Sequence, residues 1–187
     1  MTDLVAIDGL CTRRDRGEMD GPAFLCELTA MLARSIGCSR AGVRVIIDTQ
    51  AGCILRTIAM YSNAAGRLVV VPDLVGVGVS LYLKCLGKQG GTVVPDVASS
   101  PRTASLLHDY SASQEVSSLM DVGISLEGML YGTLSCEQVC TPLQWSPRQI
   151  YLLRYTALRA APALVRCLAE PHHLSPIRLA QLAPSSW

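Results

Sequence analysis

Eight polar side chains stand among apolar neighbours in the middle and second half of the chain, and together they could bind a small molecule. Sites for small molecules are mostly apolar, with a few polar groups that converge on the ligand. An arginine offers paired donors to a carboxylate or phosphate, and a tyrosine ring can stack on a flat ligand. The sequence therefore predicts a ligand-binding site formed by Tyr82, Asp96, Arg102, Tyr110, Ser118, Asp121, Ser135 and Glu137.

Several of these residues also have an ordinary structural role open to them. Asp96 follows a proline and can cap a turn, whereas Arg102 can pair with an acidic side chain at the surface. Ser118 and Asp121 lie in a β-rich run, where alternate residues can face water. The sequence alone leaves both roles open at these positions.

Motifs for nucleophilic or metal-assisted catalysis are missing from the sequence. It contains neither a Gly-x-Ser-x-Gly nor a His-Glu-x-x-His motif, and His108 is the one histidine outside the C-terminal tail. The pair Gly76 and Gly78 lacks the third glycine of a dinucleotide-binding loop. The sequence therefore predicts a protein that is not an enzyme.

The eight cysteines are scattered and form no Cys-x-x-Cys motif. Cys136 and Cys140 are the closest pair, and no histidine lies nearby to complete a zinc site. This pattern predicts buried free thiols that act as small hydrophobic side chains, without a bound metal. A redox or metal role is the alternative.

Length and composition favour one well-packed domain. The chain has 187 residues, of which 50% are hydrophobic, and this excludes wholesale disorder. The formal charge of +1 provides no excess of positive charge to bind nucleic acid or an anionic membrane. It also favours self-association, because copies of the chain repel each other only weakly. The N-terminus lacks a signal-peptide pattern, and the apolar runs are too short to span a bilayer. We therefore expect a soluble, cytoplasmic protein with no nucleic-acid or membrane partner.

The elements that position these residues follow from periodicity and caps. Asp20 can cap a helix that ends at Gly37, and Ser146 with Gln149 forms a capping box before a long last helix. β-rich runs predict two hairpins on either side of an irregular middle. The predicted elements are a flexible lead-in over 1–19, a helix over 20–37, strands over 43–47 and 53–60, a helix over 80–87, a strand over 92–94, a helix over 103–110, strands over 115–125 and 129–138, a helix over 146–168 and a loosely attached tail over 169–187.

This order of elements does not alternate strands with helices, which disfavours a doubly wound parallel sheet. An antiparallel sheet between helical layers fits better. The last helix also carries a mixed face, which predicts either a dimer seam or a solvated surface. That face is made of Arg148, Leu152, Tyr155, Arg159 and Arg166.

Three ordered signatures make residues 20–168 resemble the GAF domain family of small sensory and regulatory modules. They are the segment 92–103, the strand pair over 116–137 with its Gly-containing second strand, and Trp145-Ser-Pro at the start of the last helix. The resemblance implies an α+β fold with an antiparallel sheet of five or six strands and helices on both faces. It further implies a small-molecule pocket between the sheet and segment 68–115, a homodimer through the terminal helices, and signalling to a protein partner in trans.

Two subfamilies can be compared residue by residue. Cys136-Glu137-Gln138 resembles the Cys-His-His region of phytochrome-type domains, but Glu and Gln replace both histidines. The helix predicted over 103–110 has no cysteine to attach a bilin, so we expect a non-covalent ligand and no covalent cofactor. A second subfamily reduces free methionine sulfoxide with cysteines that have no match here. That reductase activity and a ligand-free interaction module are the alternatives.

Overall fold

An antiparallel sheet forms the centre of the computed structural model, which describes residues 2–50, 52–76, 78–100, 108–169 and 177–178. Its strands are β1 (Arg40–Thr49), β2 (Gly52–Ser62), β3 (Arg67–Leu68), β4 (Gly91–Val94), β5 (Val116–Leu126), β6 (Met129–Val139) and β7 (Ile177–Arg178). Six strands lie in the order β3-β2-β1-β6-β5-β4, and β7 pairs with the start of β6. The sheet thus contains the five strands predicted by position and two additional two-residue strands, β3 and β7, of which β7 lies in the segment predicted as a loose tail.

Helices cover both faces of the sheet, which confirms the predicted α+β architecture. They are α1 (Thr2–Asp15), α2 (Gly21–Ile36), α3 (Gly78–Gln89), α4 (His108–Gln114) and α5 (Pro147–Ala169). On one face α2 and α5 contact each other and the sheet, whereas α3 and α4 lie against the opposite face. The irregular middle of the chain therefore forms its own layer, as expected.

Local caps explain where the long helices begin and end. Asp20 accepts a hydrogen bond from the Ala23 amide at 2.8 Å, and Gly37 ends α2 in the left-handed conformation. At α5 the Gln149 side chain accepts from the Ser146 amide at 2.7 Å, which completes the predicted capping box. These contacts are local in sequence, so the patterns predicted them well.

Alternate residues of the central strands face two separate cores. Leu134 and Cys136 of β6 are buried in the cluster under α2 and α5. Ile46 of β1 and Leu119 of β5 belong to the cluster under α3 and α4. Fully burying each such side chain stabilises the fold by about 1.5–3 kcal/mol, so both helical layers are held by apolar packing.

The N-terminal segment differs from the predicted flexible lead-in, because residues 2–15 form helix α1. Its buried side chains Ile7, Leu10 and Cys11 join the core under α2 and α5. The polar side chains of α1 contact four residues of α5 that were predicted to form a dimer seam or a solvated surface. These four are Arg148, Tyr155, Arg159 and Arg166, and the fifth predicted residue, Leu152, is buried.

The edges of the sheet are short or covered. The outermost strands β3 and β4 have two and four residues. Beyond β3 the chain follows the outer edge of β2, where the Val69 amide donates to the Met60 carbonyl at 2.7 Å and Leu55 bridges Leu74. Asp73 accepts from the Thr57 amide of β2 at 2.9 Å. Among the described residues, no helix is both long and apolar enough to cross a membrane.

Candidate functional site

A strip of polar side chains crosses the centre of the sheet on the face toward α3 and α4. On β6 it consists of the alternate residues Thr133, Ser135 and Glu137, which are all fully buried. The strand register places Arg40 of β1 opposite Glu137 and Asp121 of β5 opposite Ser135. Because a buried polar group is costly without a partner, each of these groups must find one inside the protein.

Arg44 of β1 lies at the centre of this strip and is 0% exposed. Its Nη1 donates to Ser135 Oγ at 2.8 Å, and its Nη2 donates to Glu137 Oε1 at 2.5 Å. The same Nη2 donates to Tyr110 Oη at 2.8 Å, and the guanidinium carbon lies 5.2 Å from the centre of that ring. Among the described residues, the Nε of Arg44 has no hydrogen-bond partner. One buried donor therefore remains available.

Glu137 is shared between two guanidinium groups. Arg40 Nη2 lies 2.8 Å from Glu137 Oε2, close enough for an ion pair although not aligned as a hydrogen bond. Tyr110 donates its hydroxyl to Glu137 Oε1 at 2.8 Å, so this phenol links α4 to the charged centre of the sheet. Burial opposes the charge of Arg44, but Glu137, Tyr110 and Asp121 together outweigh it and raise the pKa of the guanidinium. Arg44 is therefore charged at any physiological pH.

Asp121 and Tyr82 form a second polar contact on the same face. Tyr82 of α3 donates its hydroxyl to Asp121 Oδ2 in a short hydrogen bond. Burial raises the pKa of Asp121 above its ordinary value, although Arg44 opposes the shift. Burial, and then the Asp121 carboxylate, also raise the pKa of Tyr82, so this phenol remains a proton donor. Asp121 Oδ1 has no hydrogen-bond partner among the described residues.

We call these six residues the polar network: Arg44, Tyr82, Tyr110, Asp121, Ser135 and Glu137. Both covering helices contribute one tyrosine each, and the strands contribute the charges. A network with this composition offers hydrogen-bond donors, acceptors and both signs of charge to a bound molecule, in a site that is screened from water. Its tyrosines occupy hydrogen-bonding positions that a bound molecule could take instead.

A cavity of about 730 Å³ lies beside the polar network, where β5 begins and β6 has ended. Helix α4 separates the two, because Tyr110 enters the network while the next residue, Ser111, lines the cavity. Among the described residues that line this cavity, Asp96 and Glu115 are the charged ones.

Comparison with protein families gives one match, to the GAF domain, over residues 20–164. The chain belongs to the GAF domain family. No curated protein sequence matches this chain. The resemblance found in the sequence is thereby confirmed, and helix α1 lies outside the matched segment.

Solved structures share the GAF fold at low sequence identity. The phycocyanobilin-bound GAF domain of a cyanobacterial phytochrome has a TM-score of 0.69 and 18% identity, and the match covers 91% of this chain and 98% of that one. A far-red absorbing dark state with bound biliverdin IXa has a TM-score of 0.68 and 18% identity, over 87% and 98% of the chains. The free methionine-R-sulfoxide reductase of Neisseria meningitidis in complex with its substrate has a TM-score of 0.65 and 18% identity, over 89% and 88%. At this identity the likeness establishes the fold alone.

Within this GAF domain the eight predicted site residues separate into three groups. Five belong to the polar network, namely Tyr82, Tyr110, Asp121, Ser135 and Glu137. Two lie elsewhere: Ser118 donates to the Pro95 carbonyl at 2.7 Å and accepts from the Leu143 amide, and Asp96 accepts from the Ala98 amide at 3.0 Å. The Ser118 hydroxyl therefore joins two loops, and Asp96 caps a turn at the cavity wall. Arg102 lies outside the described residues.

Sequence reasoning missed Arg44 and Arg40, which bring the positive charge to the site. Both lie on β1, whose side chains from 41 to 47 are all buried, and Arg44 is surrounded by valine and isoleucine in sequence. The available signal was the spacing of four residues between two arginines of one strand, which puts both on the same face. An arginine inside an otherwise apolar strand needs a buried acid, and Glu137 is that acid.

The buried side chains of Tyr82, Leu83, Leu86 and Tyr110 belong to the apolar cluster on the sheet face toward α3 and α4. Within the described ranges, no group of three metal-binding side chains lies together.

Four of the eight free thiols of this GAF domain have a pKa above the ordinary value. Burial raises the pKa of Cys11, Cys53 and Cys136 above the ordinary value. Loss of solvation and the carboxylate of Glu115 do the same at the exposed Cys140. A thiol with a raised pKa is a weaker nucleophile at neutral pH, because less of it is present as thiolate.

Proposed function

We propose that this GAF domain is a sensory or regulatory module that binds a small molecule non-covalently at the polar network. The observation that carries this proposal is the network itself. Five residues predicted as ligand contacts meet around Arg44, in an interior that apolar packing alone would stabilise more simply. Buried polar atoms of Arg44 and Asp121 still have a free hydrogen-bonding position among the described residues.

The ligand is expected to replace the two tyrosines. Tyr110 occupies the position next to Arg44 and Glu137, and Tyr82 occupies the position next to Asp121. A ligand that supplies equivalent polar groups releases both phenols, and with them α3 and α4. Because those helices form one face of the domain, ligand binding then changes the surface offered to a protein partner.

The same proposal includes pairing of two copies through the terminal helices. Val5 of α1 and Tyr151 and Leu158 of α5 are 69%, 57% and 77% exposed, although each is apolar or aromatic. A formal charge of +1 gives little repulsion between copies. Sedimentation at micromolar concentration tests this seam, and Leu158→Glu is expected to shift the protein to a monomer of 20.0 kDa.

Ligand binding is tested by native and denatured mass spectra of the protein purified gently from its own cells. Extra mass in the native spectrum alone supports the proposal. Extra mass that survives denaturation indicates a covalent adduct and contradicts it. A bare mass of 20.0 kDa in both spectra favours a ligand-free interaction module.

A matched pair of variants shows where the extra mass binds. Ser135→Ala removes a hydroxyl that contacts Arg44, whereas Ser118→Ala removes one on the other side of the sheet that only joins loops. The proposal expects loss of the native adduct from Ser135→Ala and its retention in Ser118→Ala. Loss from both or from neither places the ligand elsewhere.

A reductase is the second candidate, because one similar fold belongs to a free methionine-R-sulfoxide reductase. Such a reaction needs a reactive thiolate, and four described thiols have raised pKa values. We therefore place it behind the sensor. Turnover of free methionine sulfoxide that a single Cys→Ser change abolishes would reverse this order.

A further inference from the structure

The cavity of about 730 Å³ beside helix α4 is separate from the polar network, and its lining has a chemistry of its own. Its floor is formed by the buried residues Val97, Ser111 and Val116. Its rim carries the exposed residues Glu115 and Cys140. A cavity of about 300–1,000 Å³ with a partly apolar lining is typical of sites for small organic molecules. A water molecule or a bare ion would fill only a small part of it.

The charge of this cavity is negative. Asp96 and Glu115 contribute carboxylates, and among the described lining residues there is no lysine, arginine or histidine. Asp96 uses one oxygen to accept from the Ala98 amide at 3.0 Å, and Glu115 accepts from the thiol of Cys140 at 3.6 Å. Neither carboxylate forms an ion pair with a described basic side chain. The described part of the chain therefore leaves the negative charge of the cavity without a counter-charge.

Arg40 contacts the residue before Glu115, but its charge is paired elsewhere. Its Nη2 donates to the carbonyl of Gln114 at 3.2 Å. The same nitrogen lies 2.8 Å from Glu137 Oε2, on the side of the polar network. Because the Glu137 carboxylate is fully buried, it needs this guanidinium more than the exposed Glu115 does.

Ser111 supplies a buried polar atom without a partner, and this observation is independent of the carboxylates. The residue lines the cavity and is only 8% exposed. Its Oγ has no hydrogen-bond partner among the described residues. A buried hydroxyl without a partner costs free energy, and such groups are rare in folded proteins. A molecule in the cavity that bonds to this hydroxyl removes that cost.

The backbone fixes Glu115 and Cys140 at the rim. The Cys140 amide donates to the Glu115 carbonyl at 2.8 Å, just beyond the last residue pair of β5 and β6. Both residues have a positive φ, +55° for Glu115 and +67° for Cys140, which is uncommon for residues with a side chain. The Glu115 carboxylate is therefore presented from the end of the sheet rather than from a free loop.

We propose that this cavity is a second ligand site, which binds an organic ammonium ion with an apolar body. An ammonium group has three donors and no acceptor, so it suits the hydroxyl of Ser111 and the carboxylates of Asp96 and Glu115. The apolar body of such a molecule covers Val97 and Val116. A metal ion fits less well, because no group of three metal-binding side chains lies together in the described ranges. The site is separate from the polar network and goes beyond the function proposed above.

Hexylamine is the probe for this site, because it has an apolar chain and is a cation at neutral pH, as a lysine side chain is. Its binding is followed through the amide signals of the isotope-labelled protein in two-dimensional NMR spectra. We expect saturable shifts at Val97, Ala112 and Val116, which line the cavity. Hexan-1-ol has the same chain without the charge and should bind about tenfold more weakly, because it makes no charge-assisted hydrogen bond. Equal binding of the alcohol, or shifts confined to other residues, overturns the proposal.

A matched pair of variants tests the carboxylate at the rim. Glu115→Gln removes one negative charge and should weaken hexylamine binding about twofold to fivefold, as expected for a partly exposed ion pair. Glu127→Gln is the control, because Glu127 follows the other end of β5, has a φ of +51° and gives the same change in net charge. We expect this control to bind hexylamine as the wild type does. Equal weakening in both variants indicates a general effect of net charge and contradicts the site.

Ser111→Ala distinguishes a ligand contact from a role in the fold. Because the hydroxyl has no described partner, its removal should leave urea unfolding unchanged but weaken hexylamine binding about twofold to tenfold. A loss of stability with unchanged binding excludes the hydroxyl from the site. Ser135→Ala in the polar network should bind hexylamine normally, even where it loses the native adduct. Loss of hexylamine binding in Ser135→Ala places the probe in the network and contradicts a second site.

Discussion

Replacing Glu137 by glutamine tests whether the polar network depends on one shared carboxylate. The change keeps the size of the side chain but removes the negative charge between Arg40 and Arg44. Arg44 is 0% exposed and cannot recover its hydration, so the variant contains a buried guanidinium without its directly bonded carboxylate. Breaking a buried pair in this way costs about 3–5 kcal/mol. For a chain of this length that loss lowers the melting temperature by about 6–20 °C.

Urea unfolding followed by circular dichroism at neutral pH measures the loss, and an unchanged dependence on urea shows that only stability has changed. Glu27→Gln is the matched control, because Glu27 pairs with Arg13 while 47% of its side chain is exposed. We expect this control to lose less than about 1 kcal/mol.

A double-mutant cycle with Arg44→Met identifies the partner. Once Arg44 is absent, the loss caused by Glu137→Gln should shrink by about 0.5–3 kcal/mol, because contacting residues do not act additively. A loss below about 1 kcal/mol for Glu137→Gln alone would refute the reasoning. Strict additivity in the cycle would instead assign the loss to Arg40.

Three further variants test other contacts of the domain. The pKa of Asp121 in the folded protein is raised above 3.8, so its contribution to stability is present below that pH and is lost as pH rises. The free energy of unfolding of Asp121→Asn should therefore increase relative to that of the wild type between about pH 4 and pH 7. A difference in urea unfolding that stays constant with pH contradicts this. Tyr82→Phe removes the donor to Asp121 and should lower the free energy of unfolding by about 1–3 kcal/mol. The control Tyr151→Phe, at an exposed tyrosine, should lower it by less than about 0.5 kcal/mol, and equal losses in urea unfolding would exclude a special role for Tyr82. Gly132→Ala puts a methyl group 2.0 Å from the Arg44 carbonyl oxygen and should lower the stability of the fold by about 1–3 kcal/mol. In Gly9→Ala the new methyl group meets nothing within 4 Å, and this variant should be more stable by up to about 1 kcal/mol. A ranking of the two melting temperatures in the opposite order contradicts the packing described.

Local signals in the sequence predicted the elements, because a cap or a turn involves residues that are close along the chain. Asp20 and Gly37 bound α2 as expected, and Ser146 with Gln149 opens α5. Helix α1 was missed for a related reason. Gly9 and the charged residues weaken its helical pattern, and its stability comes from α5, more than 130 residues away.

The candidate site was predicted only in part, because its geometry depends on which strands become neighbours. Glu137 stood out as a polar residue in apolar surroundings, but its distance from Arg44 is set by the pairing of β1 with β6. That pairing joins segments about 90 residues apart, and no local pattern encodes it. Ser118 also stood out among apolar neighbours, but its partners, the Pro95 carbonyl and the Leu143 amide, lie more than 20 residues away in sequence, and no local pattern identifies them.

The covered edges of the sheet affect how this protein behaves when it is concentrated. A chain that is half hydrophobic, with a formal charge of +1, has little electrostatic protection against aggregation. Amyloid-like growth begins when a free strand edge accepts a strand from another molecule. Here β3 and β4 are too short to act as such a template, and the segment after β3 occupies the outer hydrogen bonds of β2. Asp73 adds a carboxylate where an incoming strand would have to lie, so the native sheet protects itself by its shape rather than by its charge.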